Sequence, residues 1–160
     1  MSVRSPTPVK DTRPDHGADT PLWLVLRIQL EYYALPSAVV REIIRWHALT
    51  PIPGAPTVLP GIISQRGRVV PVTVPHVLLG LEPSATDRKT RYVFIQHEEV
   101  ELAFLVDEVL DLVAIAPSDY EALPGSLSAQ RSRLLRALTQ VEARLVGLIE
   151  PEAFVAVLRE

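Results

Sequence analysis

The chain predicts an all-β fold with short helices. Apolar residues recur at every second position, as in Leu24, Leu26, Ile28 and Leu30 against Arg27 and Gln29. That is the period of a strand, not of a helix. The apolar segments are short and are separated by turn residues, with 15 prolines in 160 residues. Many short strands with turn signals and few helices point to a barrel or sandwich. A faint internal repeat adds to this. Ile28-Gln29-x-Glu31 followed by Leu35 resembles Ile95-Gln96-x-Glu98 followed by Leu102, which predicts two related small barrels.

Residues 1–21 stand apart. They hold Pro6, Pro8, Pro14, Pro21 and mixed charges, with few large aliphatics, and read as a flexible tail before a domain at 22–160. Leu22 to Leu30 is the first strand, and a turn at Glu31-Tyr32 leads to Tyr33-Ala34-Leu35. Pro36 and Ser37 open a short helical turn. Val39, Val40, Ile43 and Ile44 suit either a helix or a following strand, because β-branched residues and helical spacing compete. Leu49 to Pro60 is a loop, held extended by its prolines.

Ile62 and Ile63 begin a hairpin that turns through Ser64, Gln65, Arg66 and Gly67 and returns along Arg68 to Val74. Gly67 supplies the positive φ a tight turn needs, and Val69, Val70, Val72 and Val74 suit a pleated surface. Val77 to Leu81 is a helical turn closed by Gly80. Glu82 to Thr90 is a polar loop. Strands follow at Arg91 to Gln96, Val100 to Val106 and Val109 to Ile115, with a turn at His97-Glu98-Glu99. Ser126 to Thr139 reads as a helix, Ala143 to Ile149 as a last strand, and Pro151 as the first residue of a C-terminal helix through Leu158.

Composition narrows the function classes. The chain is 48% hydrophobic and 22% charged, which fits a folded domain. A net charge of -3 argues against a general nucleic-acid binder or one that binds anionic membranes. There is no cysteine, hence no disulfide or thiolate chemistry, and this fits a reducing cytoplasm. No apolar run approaches the roughly 18 residues that span a bilayer. No signal-peptide core precedes the first strand, so export by that route is not expected.

Catalytic and phosphate motifs are missing. Gly125-Ser126-Leu127-Ser128-Ala129 fails as a nucleophile elbow, and neither glycine-rich phosphate loop occurs. His16, His47, His76 and His97 have no ligand spacing, so no metal is expected. No cofactor is indicated and no residue is assigned a catalytic role. The carboxylates Glu98, Glu99, Glu101, Asp107, Glu108 and Asp111 are the only candidate for chemistry or ligand sensing. Alternation places Glu99 and Glu101 on one solvated face. Arg131, Arg133 and Arg136 read as a solvated helix face or a patch for an acidic partner. Arg66, at a hairpin tip, is equally an ordinary surface charge and a binding residue. Val40, Ile43 and Ile44 are apolar anchors around Glu42, and core packing claims at least two of the three.

The hairpin carries a family resemblance. Gly61-Ile62-Ile63-x-x-Arg66-Gly67-x-Val69-Val70-Pro71-Val72, followed by Leu78-Leu79-Gly80-Leu81, resembles the signature of CheW-like chemotaxis coupling domains. Other segments follow in order: Tyr33-Ala34-Leu35-Pro36, Val40-x-Glu42-Ile43, the loop Pro51 to Pro56, Leu105-Val106-Asp107-Glu108-Val109, and the closing strand Arg144 to Ile149. The resemblance implies two small SH3-like five-stranded β-barrels around a shared hydrophobic core. It implies a non-catalytic adaptor. That adaptor would couple the regulatory domain of a CheA-type histidine kinase to the cytoplasmic tip of a methyl-accepting receptor. Its place would be the cytoplasm, at membrane-associated receptor arrays. By position, it gives Val40, Glu42, Ile43 and Arg66 a receptor-contact role, with Gly61 shaping the adjoining strand; no kinase-contact residue is assigned. Ser64 and Gln65 replace the family's Asn-Leu, and Val74, Pro75 and His76 replace its Asp-Leu-Arg. These departures suit a divergent adaptor, with a non-flagellar two-component system as the alternative setting.

Overall fold

The computed structural model describes residues 19–160. The tail expected at 1–21 therefore lies almost wholly outside the described residues. Among these residues eleven strands form two sheets. The first contains β1 (Leu22–Ile28), β2 (Glu31–Pro36), β9 (Glu108–Ala114), β10 (Leu135–Val141) and β11 (Arg144–Ile149), ordered β10-β11-β2-β1-β9. The second contains β3 (Val40–Arg45), β4 (Thr50–Pro51), β5 (Gly61–Gln65), β6 (Arg68–Thr73), β7 (Arg91–His97) and β8 (Val100–Val106), ordered β3-β7-β8-β6-β5-β4. The helices are short: α1 (Pro75–Leu78), α2 (Ala129–Leu134) and α3 (Pro151–Leu158).

The two sheets share one plan. In each, a central hairpin (β1-β2 or β7-β8) takes a parallel neighbour (β11 or β6) that belongs to a second hairpin. An antiparallel strand (β9 or β3) lines the other side. The second unit is continuous in sequence and sits inside the first, between β2 and β9. The repeat that suggests this plan does not mark equivalent positions. Gln29 lies in the β1-β2 turn with φ 57, whereas Gln96 lies within β7 and pairs with Glu101.

Strand alternation divides the core three ways. Trp23 and Val25 point into the first barrel, with Ala34, Ala137, Val146 and Leu148. Tyr92, Phe94 and Ala103 point into the second, with Ile63, Val70 and Val72. The intervening residues of the same strands form a third cluster between the barrels: Leu24, Leu26 and Ile28 from β1, Val93 and Ile95 from β7, and Leu102, Phe104 and Val106 from β8. Helix α3 follows β11 of the first barrel but sets Phe154 against Phe104 of the second, with ring centroids 5.3 Å apart. The central strands are thus buried on both faces, where period-2 reasoning expects one.

Asp107 occupies the crossing from β8 to β9 and joins the barrels. Its Oδ2 accepts from the backbone N–H of Gln29 at 2.6 Å, from Ser84 Oγ at 2.8 Å and pairs with His76 Nε2 at 3.0 Å. Gln29 comes from the first barrel's turn, His76 from α1 and Ser84 from the following loop. Burial pushes the Asp107 pKa up. The hydrogen bonds from His76, Gln29 and Ser84, with the attraction of His76, outweigh this and hold it below the ordinary carboxylate range.

Three expectations are corrected and one open choice, at Val40, is resolved. The first turn lies at Gln29-Leu30, since Ile28 pairs with Glu31; Leu30 is 88% exposed and is not a strand residue. The region from Val40 is a strand, preceded only by a 3-10 turn at Ser37–Val39. The helix expected over Ser126 to Thr139 is confined to α2, and Leu135 to Val141 is strand. Leu135, Ala137 and Thr139 are buried at alternate positions there, and pairing with β11 outweighs the helical spacing of the leucines. The last strand begins at Arg144, because Glu142 and Ala143 form its turn with φ 51 and 67.

Helix α2 starts at Ser128, whose hydroxyl accepts from the Arg131 N–H at 3.1 Å. Ser128→Ala is expected to cost about 1 kcal/mol through loss of this cap, read as a shifted denaturation midpoint with an unchanged slope.

Candidate functional site

The open end of the second barrel gathers most of the candidate residues. Strand β3 contains a bulge. Val40 pairs with Ile95, but Glu42 pairs with the next residue back, Phe94, so Arg41 is the extra residue. The bulge turns Glu42 away from the side of Val40 and onto the side of Phe94 and Tyr92. Val40 packs against the shared core, Ile44 against the second barrel's core, and Ile43 stays 41% exposed. Two of the three apolar anchors are thus core residues, and Ile43 is the one left at the surface.

Opposite Glu42 stands the β5-β6 turn. Gln65 pairs with Arg68, leaving a two-residue loop of Arg66 and Gly67 with φ 53 and 79. Both positive values match the twist of the strands. Glycine adopts this without strain, whereas Arg66 holds a conformation that L side chains seldom take. The loop brings Arg66 Nη2 to 3.3 Å from Glu42 Oε2. Gln65 Nε2 donates to the same oxygen at 3.0 Å, and Arg68 Nη2 lies 3.9 Å from Oε1. Arg68 also pairs with Glu101 and lies over the Phe94 ring, 6.0 Å from its centroid. The carboxylate of Glu101 raises the Arg68 pKa above its ordinary value against the opposing effect of burial.

Glu42, Gln65, Arg68 and Glu101 therefore close one mouth of the barrel, with Arg66 at the rim. The Glu42 side chain is 21% exposed and that of Arg66 75%. Held by the Gln65 hydrogen bond and the attraction of two guanidiniums, Glu42 presents a fixed orientation, and Arg66 presents most of its guanidinium outward. Gln65 and Arg68 escape the sequence reading, and Glu101 is read there only as part of a solvated carboxylate face. The available signal was alternation: Glu101 shares a face with Ala103, and Gln65 and Arg68 flank the turn as a cross-strand pair.

Gly61 lies at the opposite end of β5 from this cluster. It is buried, and a Cβ there would sit 2.2 Å from the Thr50 carbonyl oxygen and 2.9 Å from Pro51 Cα. Its role is to let β4 and the loop at 49–60 lie against β5.

The candidate carboxylates do not converge. Glu98 and Glu99 occupy a turn, Glu101 pairs with Arg68, Asp107 is consumed at the barrel joint, Glu108 pairs with Arg27 at 3.2 Å, and Asp111 bonds the Leu112 N–H. Among the described residues no group of three His, Cys, Asp or Glu side chains could hold a metal ion. Arg131, Arg133 and Arg136 each find a carboxylate: Glu31 at 2.8 Å, Glu160 at 2.7 Å and Glu150 at 3.1 Å. No helix among the described residues is long and apolar enough to cross a membrane.

Comparison with known proteins fits this arrangement. The CheW-like domain family model matches residues 22–159. The chain is 26% identical over 130 residues to the chemotaxis protein CheW of Bacillus subtilis, covering 81% of this chain and 83% of that protein. It is 29% identical over 129 residues to the CheW of Rhizobium meliloti, covering 79% and 82%. The scaffolding protein CheW of Thermoanaerobacter tengcongensis has the same fold, with a TM-score of 0.74 at 20% identity over 82% of this chain and 89% of that one. Two linked barrels and a family match over almost the whole described chain lead to one conclusion: this chain belongs to the CheW-like family and is a chemotaxis coupling adaptor.

Proposed function

We propose that this chain bridges the regulatory domain of a CheA-type histidine kinase to the cytoplasmic tip of a methyl-accepting receptor. It would do so in the cytoplasm, at membrane-associated receptor arrays, and without catalysis of its own. The receptor face comprises Glu42, Ile43 and Arg66, with half-buried Val40 anchoring its strand to the shared core and Gly61 shaping the strand that leads to the rim. The observation that carries this reading is the clamp on Glu42 beside exposed Ile43. An apolar residue flanked by an oriented carboxylate and an outward guanidinium suits a helix laid across the barrel mouth. The apolar contact supplies adhesion and the charges set register.

The first test is a calorimetric titration against the regulatory domain of a CheA-type kinase from the same source. Roughly micromolar or tighter binding supports the adaptor reading, and absence of binding by folded protein counts against it. Arg66→Glu then tests the receptor face. An exposed ion pair contributes about 0–1 kcal/mol, so the variant is expected to melt close to wild type while losing affinity for receptor tips. Wild-type affinity in that variant would remove Arg66 from the face.

A further inference from the structure

A second surface lies at the far end of β3 and has no part in the clamp on Glu42. Arg45, the last residue of β3, is paired directly across from Arg91, the first of β7. Like charges in direct cross-strand register destabilise a sheet. Among the described residues no carboxylate lies within ion-pair distance of Arg45, Arg88 or Arg91. Arg91 Nη1 turns instead to the carbonyl oxygens of Arg88 and Thr90, at 2.8 and 2.9 Å. Arg45, Arg88, Lys89 and Arg91 line an open cleft of about 660 Å³ together with Trp46 and a single carboxylate, Asp87. The cleft lining carries a formal +3, with Lys89 Nζ 3.9 Å from Glu108 Oε2, in a chain whose net charge is -3. Trp46 lies beside these cations, 38% exposed.

The cleft does not suit a compact anion. A phosphate site recruits converging backbone N–H groups, but here the loop amides are committed. Asp87 N donates to Thr90 Oγ1 at 2.9 Å, Lys89 N to Asp87 Oδ1 at 2.8 Å, and Thr90 N to the Asp87 carbonyl oxygen at 3.2 Å. What is offered is a spread of long cationic side chains around an indole. We infer that this cleft binds an acidic segment of a protein partner, with carboxylates on either side of an apolar residue. Arg45 and Arg88 take the carboxylates and Trp46 takes the apolar side chain. The inference does not depend on which receptor or kinase the adaptor serves.

The test uses the full chain and a synthetic peptide with two glutamates flanking a leucine, at low salt. Backbone amide shifts at 45–46 and 88–91, with altered fluorescence of Trp46, are expected. Trp23 is buried at 1% exposure, so a soluble quencher distinguishes the two indoles. Arg45→Glu and Arg88→Glu are each expected to weaken binding about tenfold. Arg45→Glu should also melt no lower than wild type, because it replaces a repulsive pair with an attractive one. Arg66→Glu should bind the peptide as wild type does, which separates this surface from the proposed receptor face. Equal binding of a glutamine-substituted peptide, shifts confined to other surfaces, or a lowered melting temperature for Arg45→Glu would overturn the inference. So would inorganic phosphate reproducing the same shifts at the same concentration, which would make the cleft a small-anion site.

Discussion

Asp107→Ala is expected to be the most damaging single substitution in the chain, lowering stability by about 3–5 kcal/mol, or the melting temperature by roughly 10 °C. The carboxylate is 7% exposed, and its loss strands three donors from three separate elements: the Gln29 amide, the Ser84 hydroxyl and the His76 ring. A stranded buried donor costs its full desolvation, about 1–3 kcal/mol each. The same site sets a pH dependence. The folded-state carboxyl titrates below its ordinary value, taken as about 3.9 for the unfolded chain. Its contribution is complete above that value and is lost as the pH falls through the lower, folded-state one. Thermal melts of wild type should therefore fall in acid below about pH 4. Asp107→Asn should start lower at neutral pH and lose less on acidification. Parallel acid profiles for the two proteins would refute the role given to this carboxylate.

Gly61→Ala is expected to follow closely. The added methyl would lie 2.2 Å from the Thr50 carbonyl oxygen, 2.7 Å from Leu49 Cδ1 and 2.9 Å from Pro51 Cα. Leu49 can rotate away, but the other two contacts are backbone. Strand β4 is only two residues long and is held to β5 by the pairs Thr50–Ile62 and Pro51–Gly61, so it is the part that must yield. Overpacking of this kind costs about 1–3 kcal/mol. Amide shifts across 49–60 should accompany the loss, with the β10-β11 hairpin unmoved. A variant of wild-type stability and unchanged shifts in that loop would show that the contact relaxes freely.

These two positions show how far the sequence could be read. Gly61 and Asp107 are both visible as members of family-like motifs, yet neither motif says what the residue does. Gly61 has no positive φ to betray it; its need is the close approach of another strand, which only the tertiary structure supplies. Asp107 reads as one carboxylate of a surface cluster, because nothing local shows that Gln29, His76 and Ser84 converge on it. The strands observed at Leu22–Ile28, Arg91–His97 and Val100–Val106 were legible to within two residues at their ends, since alternation and β-branched content agree there. The β10-β11 turn was not. Glu142 and Ala143 both hold positive φ without glycine or asparagine, and the leucines of β10 fall at helical spacing. At the site, Glu42 and Arg66 were picked out separately. Their contact across the barrel mouth depends on the bulge at Arg41, which leaves no mark in the residue pattern.

The placement of one barrel inside the other governs how the chain emerges and folds. During synthesis every strand of the second barrel is complete once Val106 has appeared, and that unit can close by itself. The β1-β2 hairpin, made earlier, must wait. Its partners on either side are β9 and β11, and Arg131 reaches back to Glu31, 100 residues earlier. Pairings of such range slow folding, because loop closure has to precede the contacts that reward it. Through that interval the hairpin exposes two unpaired edges and a strand that is apolar on both faces, a template for joining nascent copies of the same chain. Slow refolding with aggregation that rises with concentration is the kinetic counterpart of a fold whose first strands are completed by its last.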